Sequence, residues 1–413
     1  MSRILVDSGI KWIGKYPDEW NLFPLRAVVE NINEKNNPIK FTNVLSLTNK
    51  MGVVPYEEKG NQGNISKEDI SQYKIAYKDT VIINSMNLKI GSVGYSNYDG
   101  CVSPVYYVLK NNEKSDIRFI NYIFLSSFQK YLSRYGKGIL EIREKISMYD
   151  VLHSYVPIPS LKTQKKIADY LDEQCTKIDE IINDNNREIE LLEEYKRTIL
   201  KNELGNKVAS KKYRIKNIAN LKGRIGWQGL TTADYIEEGP YLITGVDFNE
   251  IKGSINWETC VHISEERYEE APEIHVLPND LLITKDGTIG KLAIISENRE
   301  ASLNSGVVLI RIKDKSVCNV KYLYYLLKSD YFWDWYNSSQ RGSSTIKHLY
   351  QEQFYNFSFF LPDLAHQEKV IKKIDDQFFK LDQVINYRKQ IIEKLEEYKK
   401  SLIYEYVTGK REV

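Results

Sequence analysis

Cysteine is scarce and scattered: Cys101, Cys175, Cys260 and Cys318 are the four in 413 residues, and no two share a Cys-x-x-Cys spacing. That pattern excludes a disulfide framework and a zinc ribbon, and it fits a reducing compartment. Long apolar runs are missing too. No stretch approaches the roughly 18 residues of a membrane span, and the opening from Met1 to Gly14 lacks the unbroken apolar core of a signal peptide. A soluble, cytoplasmic protein is expected. Charge of one sign is also lacking, since 58 Lys and Arg stand against 56 Asp and Glu, which argues against a strongly electrostatic nucleic-acid binder. The five histidines (His153, His262, His275, His348, His366) show no paired ligand spacing. No Walker loop, no Gly-x-Ser-x-Gly elbow and no Asn-Pro-Pro-aromatic tetrad is present. Asp286-Gly287-Thr288 reads as a tight turn rather than an acid-protease loop. With no metal site and no catalytic site, the chain is not expected to be an enzyme.

What the chain does contain is a repeat. Pro159 to Leu204 and Pro362 to Val407 align without a gap at an offset of 203, with about 17 of 46 positions identical. Shared positions include Pro159/Pro362, Leu161/Leu364, Gln164/Gln367, Asp172/Asp375 and Asp179/Asp382, and Leu192 to Lys196 matches Leu395 to Lys399 letter for letter. Leu171, Ile178, Leu192 and Ile199 recur on a seven-residue period, as do Ile374, Leu381, Leu395 and Leu402. Both segments therefore predict long helices with coiled-coil seams. Ile181 and Tyr195 are expected at the second seam position, like Val384, Ile391 and Tyr398, with Cys175, Ile182 and Ile189 widening the stripe. Asn185 and Arg388 place a polar residue at one seam phase in each copy, a pattern that fixes register. Ser160, Thr163 or Asp363 are expected to cap the starts, and Gly205 and Gly409 to close the ends.

The remaining segments predict mixed domains of short β-branched and aromatic strands. Asp79 to Ile83 parallels Asp280 to Thr284, Ser103 to Leu109 parallels Ser305 to Ile310, and Phe119 to Leu132 parallels Val320 to Tyr336. The expected fold class is α+β: two mixed α/β domains separated by two long antiparallel helices in a coiled coil, with an internal pseudo-twofold repeat. The expected boundaries are 1–158, 159–207, 208–361 and 362–413. Residues 1–158 hold 20 basic and 16 acidic residues, and residues 208–361 hold 18 and 19. DNA binding by such heads must rest on local patches, side-chain readout or partners that bring positive charge. The 30 tyrosines suit polar, rigid contact surfaces as well as half-buried strands.

Three motifs carry a family resemblance: Ile10 to Trp20 with its Trp-Ile-Gly, the Pro-x-Leu-x-x-Gln-x-Lys helix entries at Pro159 and Pro362, and Asp280 to Gly290 with Lys-Asp-Gly-Thr-Ile-Gly. In these, and over the whole chain, the sequence resembles the specificity subunits of type I restriction-modification systems. The resemblance implies two target-recognition domains, each reading one half of a bipartite double-stranded DNA site, with the helices as spacer and partner-docking elements. It further implies two modification subunits that carry S-adenosylmethionine and methylate adenine, and two motor-nuclease restriction subunits that use ATP and magnesium. The subunit itself would hold no cofactor. Two departures stand out. The first domain shows Asn84 to Gly91 where the second has Lys285 to Gly290, and Trp-Ile-Gly has no copy after the first helix. Unlike half-sites are therefore expected.

Base contacts call for Arg and Lys toward guanine and Asn and Gln toward adenine, carried on polar loops. The candidates in the first domain are Asn84, Asn87 and Lys89 from one loop and Lys137, Arg143 and Lys145 from another. In the second they are Arg224, Trp227 and Gln228, then Lys285 and Thr288, then Arg341, Ser343, Ser344 and Lys347. Lys166, Glu193 and Glu194 recur as Lys369, Glu396 and Glu397, and fit partner contacts or solvated faces equally. Two alternatives remain: a specificity subunit serving a fused methyltransferase-nuclease, and a coiled-coil scaffold whose heads bind proteins.

Overall fold

The computed structural model describes residues 3–48, 52–60, 69–86, 88, 92–136, 145–205, 210–224, 230–339 and 348–413. The chain divides into two compact units, residues 1–186 with 389–413, and residues 187–388.

In the first unit, β1 (Asn21–Pro24), β2 (Val29–Ile32), β3 (Thr80–Asn84), β4 (Val93–Ser96) and β5 (Tyr106–Asn111) lead to α1 (Ile117–Ile123), α2 (Gln129–Leu132) and β6 (Tyr155–Ile158). An antiparallel sheet runs β2-β5-β3-β4, and β1 pairs separately with β6. The central strand β3 carries the apolar run Val81-Ile82-Ile83 between Thr80 and Asn84 and is buried along its whole length, as a β-branched strand covered on both faces should be. Asp79, just before it, turns the chain with a positive φ of 61°, a conformation that Asp tolerates better than most residues.

The second unit repeats this plan. After β7 (Lys211–Arg214) come β8 (Ala219–Gly223), β9 (Leu281–Thr284), β10 (Leu292–Ile294) and β11 (Val307–Ile312), followed by the helices α4 (Val320–Lys328) and α5 (Asp330–Ser339), and the sheet order is β8-β11-β9-β10. β12 (Ser358–Leu361) returns to pair with β7, and a smaller sheet pairs Tyr241–Ile243 in parallel with Ala301–Leu303.

Each sheet is tied to a long helix by the repeated motif residues. α3 (Leu161–Leu204) and α6 (Leu364–Val407) both contain 44 residues. Fully buried Gln164 accepts from the Asp116 N–H at 2.9 Å and donates to the carbonyls of Lys114 and Pro159, each at 2.9 Å. Gln367 does the same with the Asn319 N–H, Val317 and Pro362. One carboxamide thus satisfies main-chain groups at the head of the preceding domain helix and at the long helix's own start. About two helical turns later, the Tyr122 hydroxyl donates to Asp172 at 2.6 Å and Arg118 reaches its other oxygen at 2.8 Å. Tyr325 and Lys321 hold Asp375 in the same way. Ser160 and Asp363 cap the helix starts, and the Gly205 and Gly409 N–H groups bond back to Lys201 and Tyr406.

The two long helices pack antiparallel within each unit. In the first, the early turns of α3 (Ile167, Leu171, Cys175, Ile178) share a core with the late turns of α6 (Leu402, Tyr406, Val407). In the second, Ile199 and Leu200 share one with Val370, Ile374 and Phe378. The second seam position differs from the sequence expectation. Ile181, Tyr195, Val384 and Tyr398 are 47%, 53%, 41% and 51% exposed, and the seam instead alternates through Cys175, Ile182 and Ile189, the residues expected to flank it. Asn185 is buried in the seam and donates to the Ile181 carbonyl at 2.8 Å, while Arg388 pairs with Glu188.

Candidate nucleic-acid interface

The Lys285 to Gly290 loop leaves the end of β9 and is held shut from inside. The Thr284 hydroxyl donates to the Thr288 carbonyl at 2.6 Å and accepts from the Lys291 N–H at 3.0 Å, while the Gly290 N–H returns to the Thr284 carbonyl at 2.9 Å. Gly287 and Gly290 take positive φ of 66° and 86°. At Gly290 a side chain is barred twice over, because a Cβ there would lie 2.4 Å from the Trp333 indole. The tight loop presents Thr288 exposed and Lys285 half-buried.

A second segment is fastened to this loop. The Leu349 N–H donates to the Lys285 carbonyl at 3.1 Å, and His348 Nδ1 lies 2.5 Å from Asp286 Oδ1. Arg341, Ser343, Ser344 and Lys347 immediately precede His348 but lie outside the described residues, as do Trp227 and Gln228.

The first unit makes the same junction with different letters. The Ile146 N–H donates to the Ser85 carbonyl at 3.1 Å, and the Ser85 hydroxyl holds the Val105 carbonyl at 3.0 Å. Buried Asn84 turns its side-chain oxygen onto the Met86 N–H at 3.1 Å, so it shapes the loop from within. Lys145, beside Ile146, is exposed. Asn87, Lys89, Lys137 and Arg143 lie outside the described residues. Nearby Lys74 donates to the Tyr106 carbonyl at 2.9 Å. Burial first, and then the charge of Lys145, depress its pKa below the ordinary lysine value. Lys74 thus lies within electrostatic reach of Lys145, a proximity that sequence reading missed, since 71 residues separate them and no periodicity links them.

Arg224 sits differently from its companions in the sequence reading. It is 3% exposed, donates through Nε to the Leu303 carbonyl at 2.8 Å and through an Nη to the Ser302 hydroxyl at 3.0 Å. Burial, followed by repulsion from Arg267, lowers its pKa. In this structure it is a buried strut that ties the end of β8 to Ser302 and Leu303.

The four thiols are all buried. Desolvation raises Cys101 and Cys175 to about 11 and Cys260 and Cys318 to about 12, so none is a nucleophile near neutral pH. Among the described residues no group of His, Cys, Asp or Glu is arranged to hold a metal ion, and no helix is long and apolar enough to cross a membrane.

The family model of the type I restriction modification DNA specificity domain matches twice, over residues 17–191 and 207–397. The chain belongs to this family. The type I specificity subunit is 22% identical to the MjaX specificity subunit of Methanocaldococcus jannaschii, covering 96% of this chain and 95% of that one. Identity to the EcoBI specificity subunit of Escherichia coli is 21%, over 93% and 84%. A chain in a structure of complex assembly and conformational transition of the type I R-M system shares the fold with a TM-score of 0.72, at 16% identity, covering 96% and 100%. As a specificity subunit the protein recognises DNA sequence and is the non-catalytic member of its system.

Proposed function

We propose that each α/β head reads one half of a bipartite, asymmetric DNA site, and that the paired long helices act as the spacer that sets the gap between the halves. The observation that carries this reading is the repeated junction: Ser85 with Ile146, and Lys285 with Leu349, are joined by one main-chain hydrogen bond of the same kind at the same place in the sheet. A shared scaffold bearing unlike side chains is what two readers of unlike half-sites require. Exposed Lys145 and Thr288, with half-buried Lys285 on the same loop as Thr288, are the reader residues, and Asn84 shapes its loop from behind. The chemistry belongs to partners: two modification subunits that methylate adenine with S-adenosylmethionine, and two restriction subunits that use ATP and magnesium. Double-stranded DNA is held by the assembly, which accounts for a reader of net charge +2.

The test is to co-express the chain with its modification subunit and map methylated adenines at single-base resolution. A split motif with two unlike halves and a fixed gap is the expected result. Methylation at a continuous or palindromic site would overturn the reading.

A further inference from the structure

The two units are built alike, yet one cavity is filled in the first and open in the second. In the first unit, the Trp-Ile-Gly segment that precedes β1 covers α2 and the last turns of α6. The Trp12 ring lies 4.8 Å from Phe128, its carbonyl accepts from Ser127 at 3.4 Å, and the Ile13 carbonyl accepts from Tyr404 at 3.1 Å. Trp12, Ile13, Phe128 and Val407 are consequently buried. At the repeat offset of 203, Phe128, Ser127, Tyr404 and Val407 become Tyr331, Asp330, Lys201 and Leu204. Ser126 and Ser329 confirm that register, since each hydroxyl bonds back to the carbonyl three residues earlier at a break in its helix.

Those counterparts line an open cavity of about 270 Å³ in the second unit, with Leu200, Leu326 and Phe360 as its apolar wall. Tyr331 is 42% exposed where Phe128 is fully buried. Residues 1–20 precede β1, and within them Leu5–Asp7 pairs with Lys15–Pro17 as a hairpin that carries Trp12, whereas residues 205–210 alone separate α3 from β7, too few for such a hairpin. The rim has also gained charge: Asp330 and Asp334 stand where the first unit has Ser127 and Tyr131, and Lys201, one cation against these two anions, stands where it has Tyr404.

We propose that this cavity receives, from a partner protein, a tryptophan-bearing segment with basic flanks. An indole and an adjacent aliphatic side chain suit the wall, as Trp12 and Ile13 suit its counterpart. Cationic flanks complement Asp330 and Asp334. The proposal does not depend on DNA reading by the heads.

A labelled peptide of residues 8–17, in which Lys11 and Lys15 flank Trp12 and Ile13, serves as the probe and is titrated into the full chain by fluorescence anisotropy. Saturable binding is expected, weakened at least tenfold by Asp330→Lys with Asp334→Lys, and equally by a Trp12→Ala change in the peptide. Both aspartates are exposed, so the doubly substituted chain should keep its fold, which circular dichroism checks. No saturable binding up to about 1 mM overturns the proposal. Binding that ignores the charge reversal also overturns it, because the peptide would then be displacing the hairpin of the first unit or adhering elsewhere.

Discussion

Lys196 Nζ on α3 lies 2.5 Å from Asp382 Oδ1 on α6, and the repeat-equivalent residues form the reverse pair, Lys399 on α6 with Asp179 on α3 at 2.6 Å. Each helix therefore gives a lysine and takes one at matching positions, the signature of a twofold self-complementary contact written within one chain. The first pair is the less exposed, 13% and 38% against 27% and 52%. Exposed ion pairs contribute about 0.2–1 kcal/mol. Double-mutant cycles with alanine, read by urea unfolding, should give the larger coupling at Lys196–Asp382 and a value near the bottom of that range at Lys399–Asp179.

Gln164 makes three hydrogen bonds to main-chain groups and is fully buried. Gln164→Leu keeps the bulk and strands those groups, for a loss of about 3 kcal/mol. Hydrogen exchange should show the damage confined to the first unit, with the Asp116 amide losing protection. Gln367→Leu should mirror it at Asn319 in the second.

The Tyr122 phenol is pushed well above its usual value, first by burial and then by its hydrogen bond to Asp172, and Tyr325 is raised in the same order by burial and Asp375. A raised phenol releases its proton more readily in the unfolded chain, so its contribution to stability is complete below the ordinary value of about 10 and is lost as pH climbs beyond it. The urea midpoint should fall between about pH 9 and pH 11, and Tyr122→Phe should flatten that fall. A midpoint that rises with pH over this interval would contradict the assignment.

The repeat made the helices legible, because both copies carry the same caps, period and anchor glutamine. The second seam position was not, for a geometric reason. Apolar residues stand at both the third and the fourth place after Ile178, as Ile181 and Ile182, and the facing helix decides between them. The burial of Arg224 is not legible locally, because the groups that bury it, Ser302 and Leu303, lie 78 and 79 residues onward. Asp286 and His348 meet across 62 residues, a proximity that sheet topology creates and local pattern does not announce. The Trp-Ile-Gly motif marks the family in the sequence, and the physical counterpart of its missing second copy is the open cavity beside Tyr331.

At the interface itself, Lys285→Ala should weaken one half-site by about 1–3 kcal/mol and leave preference at the other intact. Lys145→Ala should act on the opposite half. Gly290→Ala, which drives a methyl group into Trp333, should abolish recognition at the Lys285 half without removing a donor. Binding-site selection with each variant complex reads all three, and equal loss at both halves would show that backbone contacts had been mistaken for readers.

The spacer claim is tested most directly by deleting seven residues from each long helix at repeat-equivalent positions, 184–190 and 387–393, and mapping the modified site. Seven residues of helix span about 10.5 Å, about three base pairs of B-form DNA. The account predicts unchanged half-sites with a gap shortened by about that amount, or loss of the joint site with both separate half-site preferences retained. An unchanged gap from a folded, active complex would contradict it.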